Sequence, residues 1–209
     1  MKVDIWLDFV CPFCYMGDKQ FKEALQQFDS LQDIEINYCS FELDQKKERD
    51  KASNAVENFA REYNMPLEKA QHIMGKTAKK VESAGLEYHY KNTIPANTFD
   101  AHRLNYYAKE YGKDRDLTAR IMRAHFAEGL DIGHREVLAD LASEVGLNRK
   151  EVIQVLNSDQ YSSQISHDRE RAIALNIDLV PTLIFNNNER ISGVLTLEDY
   201  TDILKKIDQ

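Results

Sequence analysis

The stretch VCPFCY, residues 10–15, holds two of the three cysteines in a chain of 209 residues. The residues before it, KVDIWLDFV at 2–10, predict a strand that ends where the cysteine and the proline begin. The residues after it carry apolar side chains at helical spacing, with Phe21 and Leu25 on one face. Pro12 suits the first position of this helix, where a missing N–H breaks no hydrogen bond. The sequence therefore predicts that both cysteines lie where a strand turns into a helix.

The rest of the chain divides into a helical middle and a mixed ending. Residues 34–43, IEINYCSFEL, alternate apolar and polar side chains and predict a second strand, parallel to the first. From about residue 52 to 157 the apolar spacing is helical. Residues 165–207 predict a helix, two short strands joined by the turn NNNE, and a last helix. We therefore expect one α/β sheet domain interrupted by a large all-helical insertion, with joins near residues 45–52 and 158–165.

The composition excludes two classes of partner. The net charge is −8 at pH 7 and no basic cluster stands out, so a nucleic-acid-binding surface is not expected. No apolar run has the length of a membrane-spanning helix, and Asp4 and Asp8 interrupt the apolar run that a signal peptide would need. We therefore expect a cytoplasmic protein that binds neither nucleic acid nor membranes. In a reducing compartment a cysteine pair is more often catalytic or metal-binding than a permanent disulfide.

The spacing of the two cysteines predicts how each thiol behaves. At the N-terminal end of a helix, Cys11 faces unpaired backbone N–H groups and the positive end of the helix dipole, and both favour the thiolate. Its pKa is therefore expected below the usual value of roughly 8.5. Cys14, three residues later, lies on the same face and within reach of a disulfide. These features favour a redox pair in which Cys11 is the exposed nucleophile and Cys14 is the resolving thiol.

Two other interpretations of the pair stay open, namely a zinc site and a pair of inert thiols. A structural zinc ion normally has four protein ligands, and the sequence has no second C-x-x-C or H-x₃-H, so no metal site is predicted. Cys39 lies in a predicted central strand, where a buried and unreactive thiol is the simplest interpretation.

The second signal is the stretch DLVPTLIF, residues 178–185, in which a proline opens a predicted strand. One interpretation is an ordinary proline at the start of a strand. The other is a cis bond between Val180 and Pro181. Such a bond would turn the chain so that the backbone of Val180 faces the cysteines and pairs with an extended substrate. The cysteine pair in the same predicted sheet domain favours the second interpretation, a cis bond.

Other residues are weaker candidates for the site. Asp8, near the end of the first strand, is either a proton-transfer group for a thiol or a solvated carboxylate. His102 belongs to a helical stripe that either covers the cysteines, with Asn97 at its near end, or faces solvent. A surface histidine is the simpler interpretation. Pro12 and Phe13, between the cysteines, are expected to support the pair.

Five motifs follow one another across nearly the whole chain: CPFCYMG (11–17), NTFDAHRL (97–104), EGLDIG (128–133), VPT (180–182) and SG (192–193). With this set the chain resembles the DsbA-like family of thioredoxin-fold oxidoreductases, in particular its cytosolic FrnE-type branch. The resemblance implies a thioredoxin fold, β-α-β … α-β-β-α, with a large helical insertion. The thioredoxin-like domain would comprise residues 1–48 and 160–209, and the insertion residues 49–159.

The same resemblance implies thiol–disulfide exchange without a metal or an organic cofactor. Cys11 would be the nucleophile, Cys14 the resolving cysteine and Pro181 the cis-proline. Substrates would be disulfides or thiols, either proteins or small molecules, with glutathione a candidate co-substrate. Periplasmic relatives often have a histidine where this chain has Phe13, and secreted relatives have a signal peptide. Both differences imply a milder redox potential than that of a strong oxidant.

Two alternative functions belong to other classes. The first is a glutathione-dependent isomerase or transferase of the kappa or hydroxychromene-carboxylate isomerase type, which resembles this fold but generally needs no resolving cysteine. The second is a non-catalytic module with a zinc-bound or inert cysteine pair. The intact pair of Cys11 and Cys14 favours exchange over both.

Overall fold

The computed structural model describes residues 1–28, 34–45 and 55–207, in which the chain forms four strands and nine helices. In chain order these are β1 (Lys2–Leu7), α1 (Pro12–Leu25), β2 (Glu35–Ser40), α2 (Ala55–Glu62), α3 (Leu67–Ser83), α4 (Phe99–Glu110), α5 (Asp114–Phe126), α6 (Arg135–Glu144), α7 (Arg149–Leu156), α8 (Ser162–Ala174), β3 (Thr182–Phe185), β4 (Glu189–Ser192) and α9 (Leu197–Ile207).

The four strands form a single sheet in the order β2-β1-β3-β4. β1 pairs parallel with β2 and antiparallel with β3, and β3 pairs antiparallel with β4. The predicted α/β class, with a β-α-β opening and an α-β-β-α ending, is confirmed. The prediction that Cys39 lies in a central strand is wrong. Cys39 pairs with Trp6 from β2, which is an edge strand because β3 and β4 extend the sheet on the other side of β1.

Helices α2–α7 lie between β2 and α8, where the sequence predicts a helical stretch. The expected join near residues 45–52, and the expected helix start near 52, fall mostly outside the described residues. One large cluster of buried side chains contains sheet residues such as Trp6 and helical residues such as Leu104. The division into two domains therefore stays a prediction. Within the described part of the chain, no helix has both the length and the apolar character needed to cross a membrane.

Aromatic contacts hold α1 on the sheet. The Phe21 ring meets Phe185 of β3 at 5.9 Å and Tyr200 of α9 at 5.6 Å, in both cases edge to face. Phe21, Phe185 and Tyr200 are each at most 2% exposed. Such geometry suits the charge distribution of aromatic rings and adds to the stabilisation from burial. These contacts hold the middle of α1 against β3 and α9.

The end of α5 is joined to the segment at residues 86–92. The His89 N–H donates to the carbonyl oxygen of Phe126 at 2.8 Å. Gly129 follows α5 with a φ of 67°, and a Cβ added there would stand 2.8 Å from the carbonyl oxygen of Asn92. Position 129 therefore requires glycine for two reasons: its backbone is left-handed, and any side chain there would collide with the backbone of Asn92.

Gly129→Ala is expected to destabilise the protein more than Gly112→Ala. Both glycines have positive φ, 67° and 64°, so both changes carry the cost of left-handed backbone, about 1–2 kcal/mol. Only at Gly129 does the new methyl group collide with backbone, because none of the described atoms lies within 4 Å of it at Gly112. Overpacking adds about 1–3 kcal/mol. Urea unfolding measures the difference, and equal free energies of unfolding in the two variants would contradict it.

Candidate active site

Cys11 and Cys14 lie at the start of α1, directly after the end of β1. Cys11 is the N-cap residue and Pro12 follows in the first turn, as predicted. The Cys11 N–H donates to the carbonyl oxygen of Asp8 at 3.1 Å, and both cysteines are free thiols. Cys11 is 5% exposed and Cys14 is 1% exposed. The expectation that Cys11 is exposed is therefore wrong in this structure, because the loop at Val180 packs on it.

The loop formed by Val180 and Pro181 contacts both the thiol and the helix. The peptide bond between these two residues is cis, as the sequence predicts. The Cys11 thiol donates to the carbonyl oxygen of Val180, with a sulfur–oxygen distance of 3.8 Å. Pro181 packs on α1 at Gly17, where an added Cβ would be 3.1 Å from the proline ring. The absence of a side chain at Gly17 therefore sets how closely the loop approaches the helix.

The two thiols have opposite pKa shifts. A hydrogen bond from the Cys14 thiol has the largest effect on Cys11 and lowers its pKa, and the N–H groups of Cys14 and Phe13 lower it further, so that together they outweigh burial. Burial has the largest effect on Cys14, and donation to Cys11 adds to it, so the pKa of Cys14 is well above the usual range. The Asp8 carboxylate raises the pKa of both thiols. The first thiolate of the pair therefore forms on Cys11.

Asp8 and His102 form a buried contact beside the cysteine turn. Their side chains are 1% and 4% exposed, and His102 Nε2 lies 3.5 Å from Asp8 Oδ1. The expectation of a surface histidine is wrong, and so is the interpretation of Asp8 as a solvated carboxylate. The cause is tertiary packing, since the start of α4 lies against the end of β1 and the His102 ring meets Phe9 at 4.8 Å. At this distance the contact is not a strong hydrogen bond.

Asp8 is held as a carboxylate by its neighbours. Burial by itself raises the pKa of Asp8, but the His102 contact, the backbone N–H of Leu43 and the side chain of Thr98 together lower it below the usual value. The Leu43 N–H donates to Asp8 Oδ2 at 2.8 Å. A buried carboxylate with a lowered pKa is ionised at neutral pH. Its negative charge therefore acts on both thiols.

The other predicted residues occupy less central places. The Asn97 side chain accepts a hydrogen bond from the Phe99 N–H at 3.1 Å, a local contact in the turn that leads into α4. Phe13 is 37% exposed and lies between the two cysteines on the surface. Asn97 thus helps to start the helix that carries His102, and Phe13 is open to approaching molecules.

The sequence does not predict that two tyrosines, Tyr88 and Tyr200, lie near the cysteine pair. Tyr88 is 6% exposed, and its pKa is raised by burial and by the charge of Cys11. Tyr200 is fully buried, and its hydroxyl is 3.4 Å from the position of a Cβ on Gly17. Tyr200 belongs to an apolar helix face, which indicates a core position. Tyr88 stands in the polar stretch EYHYKN, in which no pattern marks it.

Cys39 is a buried thiol, 2% exposed, as predicted. Arg171 Nη1 lies 3.6 Å from its sulfur, and burial is the main reason why the pKa of Cys39 is raised. In residues 1–28, 34–45 and 55–207, no three histidine, cysteine or acidic side chains are grouped as ligands for a metal ion.

Comparison with known proteins identifies the family of the chain. The model of the family described as the DSBA-like thioredoxin domain matches residues 2–205. The chain belongs to this family. A probable DsbA oxidoreductase from Streptomyces coelicolor has a crystal structure that is 31% identical in sequence, with a TM-score of 0.91, over 99% of this chain and 89% of that one. Protein YwbO of Bacillus subtilis (strain 168) is 28% identical over 192 residues, which are 88% of this chain and 86% of YwbO.

The DSBA-like fold also occurs in a protein with a different name. The structure of a 2-hydroxychromene-2-carboxylate isomerase is 17% identical, with a TM-score of 0.69, over 100% of this chain and 94% of that one. At this identity the likeness concerns the fold alone. The choice between exchange and isomerisation therefore depends on the residues of the site.

Asp8→Asn is expected to lower the pKa of Cys11, because the Asp8 carboxylate raises that pKa by charge repulsion. The asparagine oxygen still accepts the Leu43 N–H. The rate of Cys11 alkylation against pH, measured with Cys14 and Cys39 replaced by serine in every protein, gives the pKa. Asp116→Asn, which removes an exposed carboxylate, is the control and should leave the pKa of Cys11 unchanged. An unchanged or raised pKa in Asp8→Asn would refute this electrostatic role.

Proposed function

We propose that this DSBA-like protein is a thiol–disulfide oxidoreductase in which Cys11 is the nucleophile and Cys14 the resolving thiol. The observation that carries the proposal is the opposite pKa shift of two thiols on one helix turn. A nucleophilic cysteine reacts as the thiolate, whereas a resolving thiol is held protonated until the mixed disulfide has formed. Cys39 differs from Cys11, because burial is the main reason why its pKa is raised.

The exchange proceeds in two balanced steps. The Cys11 thiolate attacks one sulfur of the substrate disulfide, the substrate S–S bond breaks, and one substrate thiolate leaves. The Cys14 thiol then gives its proton to water and attacks the Cys11 sulfur. The second substrate thiolate leaves and takes up a proton from water, and a disulfide closes between the two cysteines. The substrate gains two electrons and the pair loses two. The reverse sequence oxidises a dithiol.

The loop at Val180 supports substrate binding in this proposal. Its carbonyl oxygen lies 3.8 Å from the Cys11 sulfur. An extended substrate segment that pairs with backbone groups of this loop would therefore place its own sulfur next to Cys11. Backbone pairing of this kind is tolerant of side-chain identity, which suits an enzyme that acts on more than one disulfide.

The proposal extends to the setting of the reaction and separates it from the alternatives. The protein acts in the cytoplasm on protein or small-molecule disulfides, with glutathione a candidate co-substrate and no metal or organic cofactor. An isomerase of the hydroxychromene-carboxylate type generally needs no resolving thiol, whereas here Cys14 donates to Cys11. Metal analysis of the purified protein tests the zinc-bound alternative directly.

Cys14→Ser is expected to abolish turnover while Cys11 still attacks, so a mixed disulfide accumulates on Cys11. Cys11→Ser should lose both attack and turnover. Cys39→Ser is the matched control and should retain the activity of the parent, because Cys39 lies outside the pair. Reduction of a model disulfide measures turnover, and mass spectrometry locates the adduct. An adduct on Cys14, or turnover without Cys11, would reverse or exclude the assigned roles.

Phe13→His is expected to make the pair more oxidising. A positive charge beside the Cys11 thiolate stabilises the reduced form, and this raises the reduction potential. Phe13→Leu, which changes the side chain without adding charge, is the control and should stay close to the parent. Equilibration with glutathione buffers of known ratio gives the potentials. If the reduction potential falls in Phe13→His, or shifts equally in both variants, charge at position 13 does not set the reduction potential of the pair.

A further inference from the structure

A groove of about 610 Å³ lies between α3 and residues 88–92, outside the cysteine turn. Tyr88 and Tyr90 contribute aromatic surface to it. The Tyr90 hydroxyl lies beside Gly75, 3.5 Å from the position of an added Cβ. Pockets for small molecules typically have volumes of about 300–1,000 Å³ and largely apolar walls with a few polar groups. We call this concavity the Tyr88 groove.

The Tyr88 groove carries positive charge on an acidic protein. Lys76, Lys79 and Lys91 line it, together with two histidines, and Glu82 is the one carboxylate among the described lining residues. The whole chain has a net charge of −8. Lysines on an exposed helix are usually no more than a solvated face, but here they come from two segments and surround one concavity. A local excess of positive charge between low-dielectric walls attracts anions.

Aromatic contacts connect the groove with the cysteine turn. Tyr15 directly follows Cys14 in α1 and stacks on Phe126 at 5.0 Å. Phe126 in turn meets Tyr88 edge to face, also at 5.0 Å. The Cys11 charge reaches Tyr88 and contributes to its raised pKa. Tyr88 therefore lines the groove and also lies within electrostatic reach of Cys11.

We propose that the Tyr88 groove binds the carboxylate-bearing part of an anionic low-molecular-weight disulfide whose sulfur reacts with Cys11. The lysines attract the carboxylates, and the two tyrosines pack against the apolar atoms. The inference rests on the proposed function and names its substrate class. The exchange step is unchanged: the substrate S–S bond breaks, Cys11 takes one sulfur, and Cys14 releases it, with two electrons passing to the substrate.

Two chromogenic disulfides test this proposal: the dianion dithiobis(nitrobenzoate) and the neutral dithiodipyridine. The reduced protein is mixed with each one at low ionic strength, and the rate constant for release of the first thiol is measured. The triple variant K76Q/K79Q/K91Q is expected to lose about tenfold with the dianion and to change by no more than about twofold with the neutral disulfide. Added salt should slow the dianion in the parent more than in the variant.

A second triple variant, K69Q/K150Q/K205Q, removes the same charge from exposed lysines outside the groove. Its ratio of the rate constants for the dianionic and the neutral disulfide should equal that of the parent. Arginine at the three groove positions should keep this ratio as well. The proposed site is refuted if both glutamine variants lose the same share of the rate constant with the dianion, or if the groove variant loses none. A loss that appears only with an acidic polypeptide disulfide refutes it as well. Failure of the proposed function is distinct, since Cys11→Ser would then react with both probes like the parent.

Discussion

The contact between the start of α1 and the loop at Pro181 is the constraint on which the rest of the site depends. The antiparallel pairing of β1 with β3 places Trp6 opposite Thr182. The residues that follow β1 therefore meet those that precede β3, at the C-terminal end of β1. Gly17 lets the proline ring approach the helix closely. The Val180 carbonyl oxygen then reaches the Cys11 thiol. A bulkier residue at position 17 would separate the two groups that form the site.

The charge of the site is set by opposing influences from different parts of the chain. The helix terminus and the Cys14 thiol favour a thiolate on Cys11, while Asp8 opposes it. Asp8 comes after β1, but its partner His102 belongs to α4, within the helical stretch. The helices that interrupt the sheet domain in sequence therefore influence the chemistry as well as covering it. The net result is a lowered pKa of Cys11, because the hydrogen bonds to its sulfur outweigh burial and the Asp8 charge.

Short-range signals in the sequence were sufficient for the elements that carry the thiols. The apolar run before Cys11 and the proline after it predict the end of a strand and the start of a helix, since both depend on neighbouring residues only. The burial of Asp8 and His102 could not be predicted, because it depends on α4 packing against β1 from a distant part of the chain. The edge position of Cys39 depends in the same way on where β3 enters the sheet.

The separation of the site's two halves along the chain has a consequence during protein synthesis. Cys11 and Val180 are 169 residues apart, and ribosomes add about 5–20 residues per second, so roughly ten to thirty seconds pass before the covering loop has been made. Throughout that interval the Cys11 thiol lacks the loop that contacts it in the folded protein. Oxidants and other nascent thiols therefore reach this pair more easily on the ribosome than in the finished protein.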